Sequence, residues 1–524
     1  MKTNRFLCFS LVIFFGLAGA YIPSSHSEEG KAGGLSLSLD RCIELALENN
    51  LVIAAQRIDP EINRLNYEIA RTLFDPNLST GGSRSVSNSQ AVTFISITKR
   101  EYDNYDISLS GKALTGGSYS LSLNASRTYL TAGFPITFNP SYTTGINLNI
   151  TQPFLRNFGR EVTKHNILVS KNSYDMSLSS FQRIVIDTVT LAEQAYWNLV
   201  GAIDNLKVQK ESLKLAEDQL ERNRIMVKVG TRAPIDVTDA EATVASRVLS
   251  VINAENAVKA AEDSLRKILN IAPGTSLWDS AILPTDRPSF EAVSVDLEAS
   301  IDAALRKRPE IEESRINLKN LELTMRYQKN QGLPLLDLSG SYGLSGVSGT
   351  ILPGPDGLMG TPDDIFVQEG ISGAFDDVKD RNYTNWSLGL NFAIPIMNRA
   401  ASRQYVISKL NYDKANIQHK SLEQQIAIDV KEAARNIEMS LKRLDAARAS
   451  KILSRERLNA AQKKFENGMA TNFEVAEYQQ YLATAESEEI NALIEYNKAL
   501  LSLEKAQGTL LQKRGIVLES SQKK

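Results

Sequence analysis

An internal duplication constrains the fold of this chain more than any other sequence feature. Matching positions of a first set differ by 258 (301 − 43 and 334 − 76): Ile43 with Ile301, and Pro76 with Pro334. Those of a second set differ by 238 (468 − 230, 474 − 236 and 477 − 239): Gly230 with Gly468, Asp236 with Glu474, and Asp239 with Glu477. A duplicated unit has to bury its apolar surface against its own copy or a neighbour. The 524 residues therefore predict two similar helix–strand–helix halves.

The N-terminus is typical of a secretory signal peptide. Lys2 and Arg5 precede an apolar run at 6–17, which is followed by the small-residue triplet Ala-Gly-Ala. Such a run is too short for a membrane anchor, so removal of residues 1–20 is expected. Residues 21–36 are polar and rich in glycine and serine, which predicts a mobile N-terminal segment.

Neither charge nor motifs indicate a nucleic-acid partner or an enzyme. The formal net charge is −2, so no basic surface is expected. The histidines lack the spacing of metal ligands, and Cys42, alone in the mature chain, is expected to be a buried structural thiol. We expect no catalytic residue and no cofactor. Residues 354–364 leave two readings open: a calcium site with oxygen ligands, or a plain acidic surface loop.

Residues 75–153 and 335–395 alternate between apolar and small polar side chains. In the first half, for example, Ile107 and Leu109 alternate with serines, and aromatic residues cluster near the segment ends. This period of two predicts strands with two different faces. Strands of about 10 residues with one apolar face and flanking aromatics suit a transmembrane β-barrel. The alternative is the edge of a soluble β-sandwich.

Long helical hairpins follow each β segment, over 160–270 and 399–511. Apolar residues recur every seven positions in the first arm of each hairpin, which predicts coiled-coil packing. The arm then ends at a glycine, Gly230 or Gly468, which supplies the left-handed conformation of a helix C-terminus.

Two local features of the helices are also expected. A helix at 40–72 is predicted to break near Asp59 and Pro60, because proline has no amide donor and its ring clashes with the preceding turn. Thr231 or Asn472 is predicted to cap a returning helix.

The ordered set of these features resembles the TolC family of outer-membrane channel proteins. It comprises the signal peptide, the duplicated units, strand-to-helix junctions at Pro153 and Pro395, and the sequence Val-Gly-Thr-Arg at 229–232. The resemblance implies a mixed fold, a membrane β-barrel plus a long α-helical coiled-coil tunnel, in a TolC-like trimer built from two internal repeats. The implied divisions are a first repeat at 37–270, an equatorial connector at 271–295, a second repeat at 296–512 and a C-terminal tail at 513–524.

The number of barrel strands departs from the family pattern. Two strands from each repeat would make twelve in the trimer, but the first half carries an additional alternating pair at 104–113 and 117–127. Periplasmic turns of such barrels are short, so 114–117 would be a periplasmic turn. Two readings stay open: six strands per protomer and eighteen per trimer, or an extracellular hairpin on a twelve-stranded barrel.

The resemblance also implies a pore constriction at the helical tips. The family's constriction acids match Glu474 and Glu477, and their repeat counterparts are Asp236 and Asp239. Spacing i, i+3 puts each pair on one helix face, and threefold symmetry would turn each carboxylate into a cation-favouring ring. The alternative is that they complement the helix dipole, and both readings can hold together. Arg232 is the expected gating latch, reaching an acid of a neighbouring hairpin; in relatives it lies in the second-half hairpin.

The function implied is that of the outer-membrane exit duct of a tripartite efflux system, passively conducting small molecules or drugs. Its partners would be two further copies of the chain in a homotrimer, a periplasmic adaptor (membrane fusion) protein, an inner-membrane transporter and outer-membrane lipid. The alternatives are a type I protein secretion duct and, in another class, a non-conducting envelope-spanning coiled-coil scaffold.

Overall fold

The computed structural model describes residues 35–518, apart from 94, 134–135, 276–277, 292 and 352–366. The expected signal peptide and the candidate calcium loop at 354–364 therefore lie outside the described residues, as do most of the segment at 21–36 and the end of the tail at 513–524. Within the described ranges, no group of three or more His, Cys, Asp or Glu side chains is placed to hold a metal ion.

Helices dominate the described chain. Their bounds are α1 (Leu39–Asn49), α2 (Leu51–Arg71), α3 (Arg160–Thr163), α4 (His165–Lys228), α5 (Ile235–Leu269), α6 (Leu297–Lys307), α7 (Pro309–Gln331), α8 (Ile371–Asp380), α9 (Arg399–Glu466), α10 (Asn472–Ala506) and α11 (Leu510–Lys513). With 64 and 68 residues, α4 and α9 each span roughly 100 Å at 1.5 Å per residue. Of the helices in this part of the chain, none is both long and apolar enough to cross a membrane.

The break predicted near Asp59 and Pro60 is wrong. The first helical segment breaks at Asn50, which has an extended backbone with ψ 122° and caps α2. Its Oδ1 accepts hydrogen bonds from the amides of Val52 and Ile53, at 2.9 and 3.3 Å. Pro60 lies inside α2, and the helix continues through it. The side-chain cap, rather than the missing proline donor, decides where one helix ends and the next begins.

The strands form one large antiparallel sheet and a small parallel pair. Their bounds are β1 (Leu35–Leu37), β2 (Asn77–Asn88), β3 (Ile97–Lys112), β4 (Ser118–Ala132), β5 (Phe138–Pro153), β6 (Ile282–Pro284), β7 (Leu335–Ile351), β8 (Val367–Gln368) and β9 (Tyr383–Ala393). In the large sheet the six long strands follow the order β2-β3-β4-β5-β7-β9, and the two-residue β8 pairs with the far end of β7. β1 and β6 make the separate pair.

The register of the large sheet separates an apolar face from a polar face. One apolar row crosses all six long strands: Leu78, Leu109, Leu121, Leu148, Tyr342 and Trp386. The adjacent row on the other face is polar: Ser79, Ser108, Ser122, Asn147, Gly343 and Asn385. This apolar row is open, with 70% of Leu78 and 75% of Trp386 exposed, while α8 packs on the same face at the far ends of β5 and β7. A soluble sandwich would cover such a face with a second sheet, whereas a lipid-facing barrel leaves it open.

The additional hairpin of the first half, β3 and β4, belongs to the sheet itself. β3 pairs with β2 along its length and β4 pairs with β5. The tight turn between them lies at the helical end, because the amide of Gly159, just before α3, donates to the Thr115 carbonyl at 3.1 Å. The hydroxyl of Thr115 also donates to Oε1 of Gln152 at 2.7 Å. These contacts favour the reading with six strands per protomer over the extracellular hairpin.

The long helices pack in a row that is open on both sides. Near the sheet, α2 packs on α4, α4 on α7 and α7 on α9; towards the tips, α5 packs on α4, α4 on α10 and α10 on α9. The row of helices thus ends with α9 on one side. On the other side it ends with α2 near the sheet and with α5 towards the tips. The edge strands of the sheet continue these end helices: α2 leads into the edge strand β2, and the edge strand β9 leads into α9.

The connector between the halves is more ordered than an irregular linker. Its strand β6 pairs in parallel with β1, and both pack against the middle of α4. The buried Tyr196 hydroxyl donates to the Leu37 carbonyl at 3.0 Å and lies 2.9 Å from Oδ2 of Asp286. Cys42 is fully buried beside this cluster, as predicted, and burial raises the pKa of its thiol to about 12.

Candidate pore constriction at the helical tips

Each long hairpin turns at a glycine with a left-handed backbone. Gly230 has φ 82° and Gly468 has φ 72°, and a Cβ added at either position would meet no atom within 4 Å. The glycines are therefore required by backbone conformation rather than by packing. After each glycine, the next amide bonds back to the carbonyl five residues earlier: Thr231 to Met226 at 2.9 Å, and Met469 to Lys464 at 2.8 Å. Both long helices thus end in a Schellman-type motif.

The two returning helices begin differently. The N-cap of α10 is Thr471, whose hydroxyl accepts from the Glu474 amide at 3.2 Å, while the Glu474 carboxylate accepts from the Thr471 amide at 3.0 Å. This reciprocal pair is a capping box. The N-cap of α5 is Pro234, without a side-chain cap. The prediction that Thr231 or Asn472 would cap is wrong: the Thr231 hydroxyl donates instead to the Met226 carbonyl at the end of α4.

A chain of buried amide side chains joins the two tips. Nε2 of Gln219 donates to Oδ1 of Asn223 and to Oδ1 of Asn472, each at 3.2 Å, and Nδ2 of Asn223 donates to the Asp236 carbonyl at 3.2 Å. Asn223 is 0% exposed. This chain links α4 to the first turns of both α5 and α10. Sequence reasoning missed it because polar residues on a heptad helix suggest a solvated face; only the packing of α10 on α4 buries them.

The four candidate acids lie at the starts of α5 and α10, on the elements that this amide chain holds. Asp239 and Glu474 are exposed, and Asp236 and Glu477 are half-buried. Glu474 is engaged in its capping box, which supports the helix-terminus reading. Glu477 accepts from the Tyr481 hydroxyl at 2.6 Å, and this bond raises the pKa of the phenol. One chain supplies two acidic helix starts, and a ring needs further copies.

Arg232 reaches the neighbouring hairpin through Phe465 rather than through an acid. Its guanidinium carbon lies 4.5 Å from the centroid of the Phe465 ring, which is a cation–π arrangement. The guanidinium also approaches the Phe465 carbonyl at 3.5 Å. Within one protomer, Glu474 and Glu477 have the other partners described above. Arg232 therefore ties the first tip to the end of α9.

A second arginine, Arg247 of α5, joins the two hairpins at a point farther from the tips than Arg232. It is 7% exposed, and its guanidinium donates to the Ala476 carbonyl at 3.4 Å. Its Nε is buried without a partner, and desolvation lowers the pKa of the side chain. Because Ala476 precedes Glu477, Arg247 holds the backbone beside a candidate acid. Sequence reasoning missed this residue, since nothing local marks an arginine in the middle of α5 as buried.

The strand-to-helix junctions lie at the opposite end of the long helices. Pro153 is the buried last residue of β5, and the following amide, of Phe154, donates to the Leu336 carbonyl at 2.8 Å. Pro395 is exposed and lies between β9 and α9. At the same junction, Nδ2 of Asn398 donates to the Gly332 carbonyl at 2.8 Å. The first junction thus fixes a strand end against the second half, whereas the second junction bonds within its own half.

Comparison with known proteins agrees with this architecture. The family model described as outer membrane efflux protein matches residues 117–270 and 300–509. The outer membrane protein TolC of Escherichia coli is 24% identical over 342 residues, which are 65% of this chain and 64% of that protein. The match thus spans just under two thirds of that relative's length.

Solved structures share the fold at low sequence identity. The outer membrane channel CmeC of Campylobacter jejuni superposes with a TM-score of 0.61 at 17% identity, over 90% of this chain and 86% of that one. The outer membrane protein VceC of Vibrio cholerae gives a TM-score of 0.62 at 13% identity, over 90% and 96%. The resemblance, the fold class and the outer-membrane location predicted from the sequence are confirmed. The chain belongs to the outer membrane efflux protein family.

Proposed function

We propose that this protein is the outer-membrane exit duct of a tripartite efflux system, passively conducting small molecules out of the cell. In this proposal it works as a homotrimer with a periplasmic adaptor protein and an inner-membrane transporter, which supplies the energy. The observation that carries the proposal is the pair of open sides that run along the protomer from the sheet to the helical tips.

The open sides require copies of the chain. β2 and β9 each lack a partner on one side within the described sheet, and an open edge cannot be left in lipid. The helices that continue these edges expose apolar residues: Ile58, Ile62 and Ile69 of α2, Leu249 and Ile252 of α5, and Leu410, Ile417, Ile452 and Leu453 of α9. A closed ring of protomers pairs β2 with β9 and covers the apolar stripes of α2 and α5 with those of α9.

The helical tips then form the gate. In a ring of three protomers, Asp236, Asp239, Glu474 and Glu477 would each become three carboxylates around one axis. Such rings attract cations. In this proposal they surround the narrowest part of the duct and keep it hydrated. We propose that Arg232, bound to Phe465, keeps the two hairpins of each protomer together in the closed state.

The assembly is tested by native mass spectrometry of the purified protein and by conductance in planar bilayers. We expect a trimer that forms small, stable current steps. Ile417→Asp would bury a charge on the side of α9 and is expected to shift the protein towards monomers, with loss of the current. Leu191→Asp, on a helix that has neighbours on both sides, is the matched control and should leave the trimer intact. A monomeric, non-conducting wild type would favour the scaffold instead.

A further inference from the structure

We propose that the barrel of this protein has eighteen strands, six from each protomer, and that it admits bulky polar solutes that a twelve-stranded barrel excludes. The inference rests on the proposed trimer, and it concerns the width and the lining of its outer-membrane end. The feature that sets the width is the hairpin formed by β3 and β4.

The hairpin is a full part of the barrel wall. β3 pairs with β2 from Lys99 to Ser110, and β4 pairs with β5 from Ser118 to Thr128. β2 and β5 therefore do not touch, and the hairpin separates them along their whole length. The apolar row passes through it at Leu109 and Leu121 without a break. A hairpin that stood in the outer medium would need neither this pairing nor this alternation.

The turn of the hairpin fixes its depth. Thr115 binds both Gly159 and Gln152, which belong to the junction where β5 leads into the helices. The hairpin turn lies directly against this junction: a Cβ added at Gly116 would lie 2.2 Å from the Asn157 carbonyl oxygen. Gly116 also has φ 97°, so the position is suited to glycine alone. The hairpin thus starts at the level where the other strands start and crosses the sheet beside them.

Six strands per protomer make a wide pore. A barrel with strands about 4.8 Å apart and tilted by about 40° has a backbone radius of roughly 18 Å for eighteen strands and roughly 12 Å for twelve. Barrels of 16 to 18 strands leave an aqueous channel, as in porins. Side chains narrow both barrels further, so this difference in backbone radius decides whether a compact polymer passes.

The two rows of the wide pore's lining that cross the middle of the sheet are polar and uncharged, and charged side chains on the same face, Asp106, Lys112 and Asp337, lie in other rows. A second polar row, next to the one described above, also crosses all six strands: Asn77, Ser110, Ser120, Asn149, Ser341 and Ser387. Small hydroxyl and amide groups hydrogen-bond to passing solutes without selecting their charge. In this proposal the acidic tips are the main site of selection by charge, and the barrel selects mainly by size.

Electron cryo-microscopy of the trimer in lipid nanodiscs tests the strand number directly. We expect eighteen strands, with β3 and β4 inside the lipid band. A conducting trimer with twelve strands in the lipid band, and residues 97–132 outside it, would overturn this inference while leaving the proposed duct intact. A protein that forms no trimer would instead overturn the proposed function.

A labelling experiment tests the pore width. Ser341→Cys places a thiol in the polar lining, and the native Cys42 is fully buried and does not compete. Intact cells expressing this variant are treated with maleimide-linked polyethylene glycols of increasing size. The matched control deletes residues 97–132, which leaves β2 and β5 able to pair as neighbours. We expect the full-length chain to react with polymers that fail to label the deletion variant. An equal size limit in both proteins would contradict the wider pore.

Discussion

The two helical tips come from one duplicated unit, yet they are stabilised in different ways. The second tip, between α9 and α10, holds its own helix start with the Thr471–Glu474 capping box. The first tip, between α4 and α5, begins α5 at Pro234 without a side-chain cap. It depends on groups outside its own turn: Asn223 holds the Asp236 carbonyl, and Arg232 reaches Phe465.

The second tip thus has a cap within its own turn and the first tip has none, although groups of α4 and α5 also bind the second tip. Contacts within one turn persist when the neighbouring hairpin moves, whereas contacts between hairpins break. In the proposed gate, the first tip is therefore the part that has to be released, and the second tip carries a rigid acidic helix start. The following experiments weaken one tip at a time.

The largest effect is expected from Asn223→Ala. It leaves the half-buried Asp236 carbonyl and the buried Nε2 of Gln219 each without one partner, at a cost of about 1–3 kcal/mol. We expect amide hydrogen exchange in the first turn of α5 to accelerate roughly tenfold or more. Asn467→Ala removes an exposed bond to the Lys463 carbonyl at the second tip and is the control. Equal protection in both variants would show that the amide chain does not hold the first tip.

The next effect distinguishes the caps. Thr471→Ala removes the capping box, which costs about 1 kcal/mol, and is expected to increase exchange at the start of α10. Thr231→Ala occupies the matching turn of the first tip, but its hydroxyl only adds a bond to the end of α4. We expect little change at the start of α5. If the two substitutions loosened their helices equally, the contrast between the tips would be wrong.

A smaller effect is expected from Arg232→Ala. The cation–π contact with Phe465 is worth about 0.5–1 kcal/mol at a partly exposed site, so open time in single-channel records should rise roughly two- to fivefold. Arg224→Ala removes an exposed ion pair with Glu241, at 3.0 Å within the same hairpin, and is the control. Unchanged gating in the Arg232 variant would exclude a latch at this position.

The smallest effect concerns the pH response of Tyr481. Its bond to Glu477 raises the pKa of the phenol above the ordinary value near 10. The folded state favours the neutral phenol, so its stabilisation is present below about pH 10 and is lost as pH rises through the raised pKa. The absorbance difference between wild type and Tyr481→Phe should titrate above 10. Glu477→Gln should lower that value; a midpoint that stayed in place would exclude Glu477 as the cause.

Periodic features of the fold were open to prediction from the sequence. The heptads of α4 and α9, the alternation in the sheet and the glycines of the two tips each repeat a pattern that one element imposes on its own residues. Even the capping box has a sequence signature, since Thr471 lies three residues before Glu474. The tip glycines and both pairs of acids were identified because the duplication aligns them.

Features that depend on two elements were not open to prediction. Gln219 and Asn223 become buried only when α10 packs on α4, and Arg247 becomes buried only between α5 and α10. The partner of Arg232 was expected to be an acid, yet within the protomer its guanidinium contacts the ring and carbonyl of Phe465. The pairing of the β3–β4 hairpin likewise requires knowledge of which strands are neighbours. Local patterns contain no information about such partners.

The acidic constriction is tested most directly by ion selectivity. The variant carries Asp236→Asn, Asp239→Asn, Glu474→Gln and Glu477→Gln; glutamine can still serve in a capping box and accept from Tyr481. In planar bilayers with a potassium chloride gradient, we expect the wild type to form small, cation-selective current steps. The variant should still assemble as a trimer but lose most of that selectivity. Equal reversal potentials for the two proteins would contradict a constriction formed by these four acids.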